Sequence, residues 1–174
     1  TWRAIVEFDT VSAPIKGDCP LVENCGTGMD SLKTFNVSTA AAIVAAACGA
    51  TMVRHGARAL TSFCGTVDMV EALGVDVECD VDTVVSSIQS EGIGLFNGMS
   101  PNVHPGGLGR ILSQIRFGST LNIAASLAQP ADPTHGLLGV YREDLVPRVL
   151  ASMLAIGYTL ALLVVGKPTR HYGC

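Results

Sequence analysis

The chain is organised around the stretch CGTGMDSLKTFNVST at residues 25–39, which runs directly into the apolar segment 40–47. Glycines come first, then small hydroxyl and amide side chains, then a run of strong helix formers. Ser38 or Thr39 is placed to cap that helix, so its remaining N–H groups and the positive end of its dipole would point into the glycine turn. Such a turn suits an anion, most often phosphate. The alternative is a tight loop before a capped helix, but four polar side chains that can face the turn favour a phosphate site: Thr34, Asn36, Ser38 and Thr39.

The rest of the chain alternates short apolar runs with helical patterns, which predicts an α/β fold with a mostly parallel sheet. We expect strands at residues 21–25, 51–53, 93–96, 136–141 and 159–165. We expect helices at residues 38–48, 66–73, 80–91, 110–117, 121–128 and 143–156. Residues 1–20 are poorly patterned, with a strand-like piece at 4–8 followed by turn signals at Pro14 and Gly17.

The segment 149–166 contains no charged residue and is long enough to suggest a membrane span. Gly157 interrupts it, however, and its two halves differ in character. The first half is rich in Leu, Ala and Met, whereas the second ends in Leu-Leu-Val-Val like a buried parallel strand. We therefore predict a helix that leads into a strand, and no membrane as a partner.

Composition narrows the remaining classes of function. The 174 residues include only 15% charged residues, below the usual share of about 25%, so we expect part of the surface to be covered by a subunit or by further chain. A net charge of −4 without a basic tract argues against nucleic acid. The six cysteines form no C-x-x-C pair and have no histidine at ligand spacing, so we expect reduced thiols in a cytoplasmic protein rather than structural zinc.

Several segments, in order along the chain, resemble motifs of the anthranilate phosphoribosyltransferase family, a glycosyltransferase group related to nucleoside phosphorylases. The resemblance covers roughly residues 20–166. Its segments are GTGMD at 26–30, KTFNVSTAAA at 33–42, RHGARA at 54–59, DMVEALG at 68–74 and LLGVY at 137–141. It implies a connector at residues 1–20 and the family's large α/β domain at 21–174, without most of the small helical domain and incomplete at both ends.

The resemblance implies transfer of phosphoribosyl from phosphoribosyl pyrophosphate (PRPP) to anthranilate or a related aromatic acceptor, with release of pyrophosphate, in a homodimer that uses Mg²⁺. By the same resemblance Ser38 would also be a metal ligand, and the acceptor would meet His55, Gly56 and Arg110. The residues expected to bind PRPP are Gly26, Gly28, Asp30, Thr34, Asn36, Ser38, Thr39, Arg54, Arg58 and Ser62.

The chain also departs from the family pattern. Met29 stands where the family has glycine, and Ala57 stands where it has the asparagine that would hydrogen-bond anthranilate. No acidic residue follows Asp144, whereas the family places an Asp-Glu pair for metal after the last strand. The chain starts without methionine and stops at Cys174, so we expect a fragment or a shortened relative. Two other functions stay open: a nucleoside phosphorylase that uses inorganic phosphate, and a non-catalytic relative that keeps the phosphate site.

Overall fold

A computed structural model describes residues 1–29, 35–60 and 62–166. The helices are α1 Trp2–Asp9, α2 Val37–Ala47, α3 Thr66–Ala72, α4 Val81–Glu91, α5 Leu108–Leu112, α6 Thr120–Leu127 and α7 Val146–Ile156, with a 3-10 turn at Glu143–Leu145. The strands are β1 Leu21–Glu23, β2 Thr51–Gly56, β3 Ile93–Asn97, β4 His135–Gly139 and β5 Leu160–Val164.

The five strands form one sheet in the order β3-β2-β1-β4-β5, and every pairing is parallel. The chain builds outward from the central β1 through β2 to β3, then returns to the other side of β1 for β4 and β5. In open sheets of this kind, ligands bind outside the carboxyl ends of the strands at the point where the strand order reverses. That point lies between β1 and β4. The predicted α/β fold with helices around a parallel sheet is confirmed.

Side chains alternate along each strand, so both faces of the sheet carry side chains that need cover, and helices lie on both faces. On one face, a β-carbon at Gly94 would meet Ile88 and Val84 of α4. On the same face, Leu138 of β4 packs in a cluster with Val149 and Met153 of α7. On the opposite face, Leu95 packs against Val67 and Val70 of α3, and α2 contacts β2.

The apolar segment 149–166 contains the end of α7 and the whole of β5, separated by Gly157 at φ 113°. The interpretation as a helix followed by a strand is therefore confirmed. Within the described ranges, the helices are all too short or too polar to cross a bilayer.

Two predicted elements are wrong. The strand-like piece at 4–8 lies inside α1, which is held by tertiary contacts: Ile5 is buried against Leu108 and Leu112, and the Trp2 indole donates to the Leu127 carbonyl at 2.8 Å. The helix predicted at 110–117 begins at Leu108 and ends at Leu112 instead. An eight-residue helix has little stability of its own, so its existence depends on partners distant in sequence.

One face of the β4–β5 edge is apolar and uncovered within the described residues. Leu160 is 60% exposed, Leu162 55% and Val164 44%, and Leu137, which pairs with Leu162, is 37% exposed. Strands of parallel sheets are normally buried on both faces. The low charge content noted in the sequence therefore has a structural counterpart in this open sheet face.

Candidate functional site

The glycine turn that follows β1 is fastened to the end of β4. The N–H of Thr27 donates to the Gly139 carbonyl at 2.8 Å, and the N–H of Gly139 donates to the Cys25 carbonyl at 3.0 Å. The buried Thr27 hydroxyl lies 3.2 Å from the same Gly139 oxygen and 3.4 Å from the Tyr141 nitrogen. The turn is thus fixed at the point where the strand order reverses.

The exposed tip of this turn has backbone that favours glycine. Gly28 has φ 66°, and among the described residues no atom lies within 4 Å of the position a β-carbon would take there; the next residue, Met29, has φ 63°. A side chain in this left-handed region costs about 1–2 kcal/mol. Met29 is one of two non-glycine residues with positive φ in the described part of the chain, the other being Asp132. Backbone strain of this kind is concentrated at functional sites.

Helix α2 begins beside the turn, but its cap differs from the prediction. Asn36 is the N-cap residue, and no capping hydrogen bond from its side chain is seen among the described residues. Ser38 and Thr39 lie within the first helical turn instead of capping it. The Asn36 amide donates towards the Gly65 carbonyl at 3.4 Å, and the Ser38 carbonyl accepts from Asn24 Nδ2 at 2.8 Å. We call the turn 26–29 and the first turn of α2 (residues 36–39) the cradle.

The Arg54 side chain of β2 links the end of β1 to helices α2 and α3. Its guanidinium is buried and donates to both the backbone and side-chain oxygens of Asn24. It also reaches the hydroxyls of Thr39 at 3.4 Å and Thr66 at 3.2 Å. Asn24 therefore contacts both Arg54 and Ser38, so these two residues lie on the same side of the molecule. The planar, multi-donor guanidinium suits such a hub better than an ammonium group would.

His55, the next residue of β2, points to the other face of the sheet and is buried. Its Nε2 lies 3.1 Å from Nε2 of His104, a residue of the loop between β3 and α5. His104 Nδ1 lies 2.6 Å from the Asp9 carbonyl at the end of α1. Burial and the neighbouring His104 and Arg54 lower the pKa of His55 to about 3. The imidazole is therefore neutral at physiological pH.

Gly56 ends β2 where no side chain would fit, since a β-carbon there would lie 2.9 Å from Thr66 Cγ2. Its carbonyl accepts from the Gly98 N–H at 2.7 Å. Arg110 is exposed on α5. His55 and Gly56 thus share one strand end, while Arg110 follows the loop that carries His104.

Arg58 is engaged by carboxylates rather than free. Its guanidinium lies 3.1 Å from Asp68 and 2.6 Å from Glu71, and these hydrogen bonds raise its pKa further. Asp68 also accepts from the N–H groups of Ala59 and Gly65, both at 2.8 Å. Partial burial opposes ionisation of Asp68, but the amide donors and the arginine outweigh it and lower the Asp68 pKa.

Ser62 is exposed, and its hydroxyl donates to the Cys64 carbonyl at 3.4 Å. Asp30 and Thr34, as well as the Lys-Pro-Thr-Arg segment at 167–170, lie outside the described residues. Among the residues that are described, no three His, Cys, Asp or Glu side chains form a group able to hold a metal ion. The side chains near the cradle therefore offer hydroxyl and amide oxygens.

Glu23, the last residue of β1, is a buried carboxyl group, and neither of its oxygens is hydrogen-bonded to any residue that the structure describes. Burial raises its pKa to about 8. The positive charge of Arg54 opposes this shift, as do nearby N–H donors of His55, Gln129 and Asn24. None of those donors reaches hydrogen-bonding geometry. Glu23 is therefore a neutral acid at pH 7, directly beneath the glycine turn.

Sequence reasoning did not identify Glu23, Asn24, Thr66 or His104 as parts of this region. Asn24 had a usable signal, because a polar residue at the end of a strand before a glycine turn lies at the carboxyl edge of the sheet. His104 had only its position in the loop 97–109, rich in Gly, Pro and Asn. Its contact with His55 spans 49 residues and has no local signature.

Comparison with known proteins gives one family. Residues 18–170 match the model of the glycosyl transferase family, a/b domain. The chain is 36% identical over 155 residues to the anthranilate phosphoribosyltransferase of Roseiflexus sp. (strain RS-1), covering 88% of this chain and 45% of that one. It is 35% identical over 165 residues to the enzyme of the same name from Methanocorpusculum labreanum, covering 95% and 48%. The chain thus spans about half the length of the curated relatives it matches.

Solved structures agree with the sequence relatives. The anthranilate phosphoribosyltransferase of Thermus thermophilus superposes with a TM-score of 0.80 at 28% identity, covering 97% of this chain and 50% of that one. The Saccharomyces cerevisiae enzyme in complex with PRPP and Mg superposes with a TM-score of 0.73 at 28% identity, covering 94% and 45%. Half of each of those structures therefore has the architecture described above.

Proposed function

The chain belongs to the glycosyl transferase family defined by this α/β domain, and we propose that it forms the diphosphate-binding part of an anthranilate phosphoribosyltransferase. The reaction joins the anthranilate amine to the anomeric carbon of PRPP and releases pyrophosphate. The relatives at 35–36% identity carry this name, which favours anthranilate over a nucleoside. Because the chain spans about half of those relatives, the proposal concerns the whole protein to which this domain contributes.

The observation that carries the proposal is the position of the cradle. The Thr27–Gly139 hydrogen bonds fix the glycine turn where the strand order reverses, and an eleven-residue helix begins beside it. Backbone N–H groups and the helix dipole favour a diphosphate there. We propose that Gly26 and Gly28 allow close approach of the backbone, while Asn36 and Ser38 donate from side chains. Asp30, Thr34 and Ser62 complete the proposed set.

We do not expect Thr39, Arg54 and Arg58 to bind the diphosphate as the structure stands. Thr39 and Arg54 are buried and bonded to each other, so they would hold the cradle from beneath. Arg58 would have to exchange Glu71 for a phosphate, which keeps the guanidinium paired in both states. On the acceptor side, His55 and Gly56 would form one wall, and Arg110 would pair with the acceptor carboxylate.

We propose Mg²⁺ as the metal that accompanies the diphosphate and neutralises its charge. Mg²⁺ keeps several waters and usually takes one or two protein oxygens together with substrate phosphates. The described residues offer no ready-made carboxylate group, but the half-buried Ser38 hydroxyl in the cradle fits the role of a single protein ligand. Ser38 would then orient the leaving diphosphate, while the strand ends orient the acceptor.

Titration calorimetry with PRPP in Mg²⁺ buffer tests the cradle. We expect wild-type binding to be weakened at least about tenfold by Ser38→Ala, the loss of one charge-assisted hydrogen bond. Ser90→Ala is the matched control. Ser90 is exposed near the end of α4 and close to the start of β3, so it lies towards the amino ends of the parallel strands, whereas the cradle lies at their carboxyl ends. Equal affinities for all three proteins, or no PRPP binding, would contradict the proposed cradle.

Turnover is measured separately by the loss of anthranilate fluorescence in the presence of PRPP. Loss of fluorescence would support the proposed phosphoribosyl transfer to anthranilate. PRPP binding without turnover by the full-length gene product supports instead a relative that keeps the phosphate site only, for which the strained Met29 and the absence of the family's asparagine at Ala57 would be the reasons.

We also propose a homodimer in the cytoplasm. The cysteines that the structure describes are all free thiols, as expected in a reducing compartment. Sedimentation equilibrium of the purified protein measures the oligomeric state, and a monomer at micromolar concentration would contradict the homodimer.

A further inference from the structure

A cavity of about 310 Å³ lies at the amino ends of β4 and β5, whereas the cradle lies at the carboxyl ends of the strands. It is formed where the turn 129–133 approaches β4 and where the chain passes from α7 to β5. Ligand pockets begin at about 300 Å³, so the cavity has room for one small molecule. The residues that define its chemistry are Trp2, Leu127, Gln129, Asp132, Ile156 and Tyr158.

The walls of this cavity are mostly apolar. The Trp2 indole N–H donates to the Leu127 carbonyl at 2.8 Å, so the indole has already satisfied its one polar group. Leu127 is buried, and Ile156 packs in the same cluster of apolar side chains. A molecule that fits between these residues therefore needs a hydrocarbon body.

Tyr158 brings an unpartnered hydroxyl to the cavity. Its side chain is only 6% exposed, and its hydroxyl has no hydrogen bond to the part of the chain that the structure describes. The fully buried polar atoms without a partner there are the two Glu23 oxygens and Arg54 Nε. The Tyr158 oxygen is not one of them, so solvent reaches it, and the cavity that Tyr158 lines provides the access. Burial is the main cause that raises the pKa of Tyr158, so the phenol is neutral at pH 7.

Asp132 brings a carboxyl group without a counter-ion. Its side chain has neither an ion pair nor a hydrogen bond with the described residues, and partial burial raises its pKa. Its backbone is in the left-handed region, at φ 47°. The turn is held from beneath, because Gln129 Nε2 donates to the Val53 carbonyl at 2.8 Å and Gln129 Oε1 accepts from the Ala131 N–H. The fold therefore keeps the carboxyl group at this cavity.

The electrostatics of the lining select the charge of a ligand. Asp132 is the charged residue of the lining, and no lysine, arginine or histidine accompanies it among the described residues. Partial desolvation opposes ionisation of an isolated carboxyl group, and a cation beside it removes that cost. The Tyr158 oxygen can accept a hydrogen bond from the same cation. An anion would meet repulsion without a compensating donor of positive charge.

We propose that this cavity binds a small primary ammonium compound with an apolar body. The ammonium group donates to the Asp132 carboxylate and to the Tyr158 hydroxyl, and the hydrocarbon part lies against Trp2 and Ile156. This site is separate from the cradle, and the inference does not depend on the proposed transfer reaction.

Tryptophan fluorescence of the full chain at pH 7 tests the inference, because Trp2 is the only tryptophan and lines the cavity. The probes are 2-phenylethylamine, 2-phenylethanol and phenylacetate, which share a ring and differ in the charge of the polar group. We expect a saturable change with the amine, binding at least about tenfold weaker with the alcohol, and no saturable change with the carboxylate. Equal responses to the three probes, or no saturable response to the amine, would overturn the inference.

Variants identify the groups that hold the ammonium. Asp132→Asn removes the charge and keeps a residue that tolerates the left-handed region, and it should weaken binding of the amine at least about tenfold. Tyr158→Phe keeps the ring and should weaken binding about fivefold. Asp82→Asn removes the same charge from an exposed position in the first turn of α4 and should bind as the wild type does. Wild-type affinity in folded Asp132→Asn or folded Tyr158→Phe would contradict the proposed contacts.

Measurements on the cradle separate the two sites. Ser38→Ala should bind 2-phenylethylamine as tightly as the wild type, because Ser38 lies at the other end of the strands. A loss of amine binding in Ser38→Ala would place the amine in the cradle and overturn the inference. PRPP affinity is measured independently by calorimetry and should be the same for Asp132→Asn and the wild type, so a failure of the cradle and a failure of this cavity are distinguishable.

Discussion

Glu23→Gln gives the sharpest test of the electrostatics beneath the glycine turn. The Glu23 carboxyl is buried and has no hydrogen bond to the described part of the chain, and its pKa rises from 4.5 to about 8. At pH 7 the unfolded chain releases this proton and the folded chain keeps it. Each pH unit above 4.5 therefore costs about 1.4 kcal/mol of stability, or about 3 kcal/mol at pH 7.

The sign of the pH dependence follows from the raised pKa. The folded state binds the extra proton, so the free energy of unfolding of the wild-type protein loses this contribution as pH rises from 4.5 to about 8, and the loss is complete above that pH. Glutamine has nearly the same shape and does not titrate. We expect Glu23→Gln to gain on the wild type by about 4 kcal/mol between pH 5 and pH 8.

Urea denaturation of both proteins at pH 5, 6, 7 and 8 measures this difference. All other titrating groups cancel in the comparison, including the buried histidines. Glu91→Gln, an exposed carboxylate at the end of α4, serves as the control and should show no such trend. A difference between Glu23→Gln and wild type that stays constant from pH 5 to pH 8 would refute a buried, protonated Glu23.

Three further predictions concern the neighbourhood of the cradle. Met29→Gly should raise the free energy of unfolding by about 1 kcal/mol by removing a β-carbon at φ 63°, whereas Met29→Ala should not; chemical denaturation distinguishes them, and equal values would argue against strain. Arg54→Met should lower the free energy of unfolding by about 3 kcal/mol because it leaves buried oxygens without a donor, and Arg54→Lys should lower it by about half of that, measured in the same way. An Arg54→Met variant as stable as the wild type would contradict the structural role of these hydrogen bonds. Asp68→Asn should accelerate hydrogen exchange at the amides of Ala59 and Gly65, and unchanged protection would show that the carboxylate does not hold this loop.

The order of turn and helix in the cradle was predictable from sequence because the signals for it are local. Two glycines, small polar side chains and a run of helix formers follow one another within about 25 residues, so neighbouring residues alone indicate a turn followed by a helix. The identity of the cap was not predictable, since Asn36, Ser38 and Thr39 all suit a cap and the sequence does not choose among them, whereas in the structure Asn36 is the N-cap residue.

The parts that sequence missed depend on contacts between distant segments. Helix α1 was interpreted as strand-like because eight residues give a weak periodic signal, and its stability comes from α5 and α6. Glu23 reads as a polar residue at the end of a strand, and nothing in the sequence shows which face it occupies. Arg58 was expected to be available to pyrophosphate, but Asp68 and Glu71 already neutralise it.

The exposed leucine and valine side chains of β4 and β5 have a practical consequence for handling the protein. A ridge of four aliphatic residues on one sheet face will adhere to the same ridge on another molecule, so the isolated domain should lose colloidal stability before it unfolds. Precipitation during purification would then report this surface rather than a defective core, and replacing Leu160 and Leu162 with threonine should improve recovery while the interior stays intact.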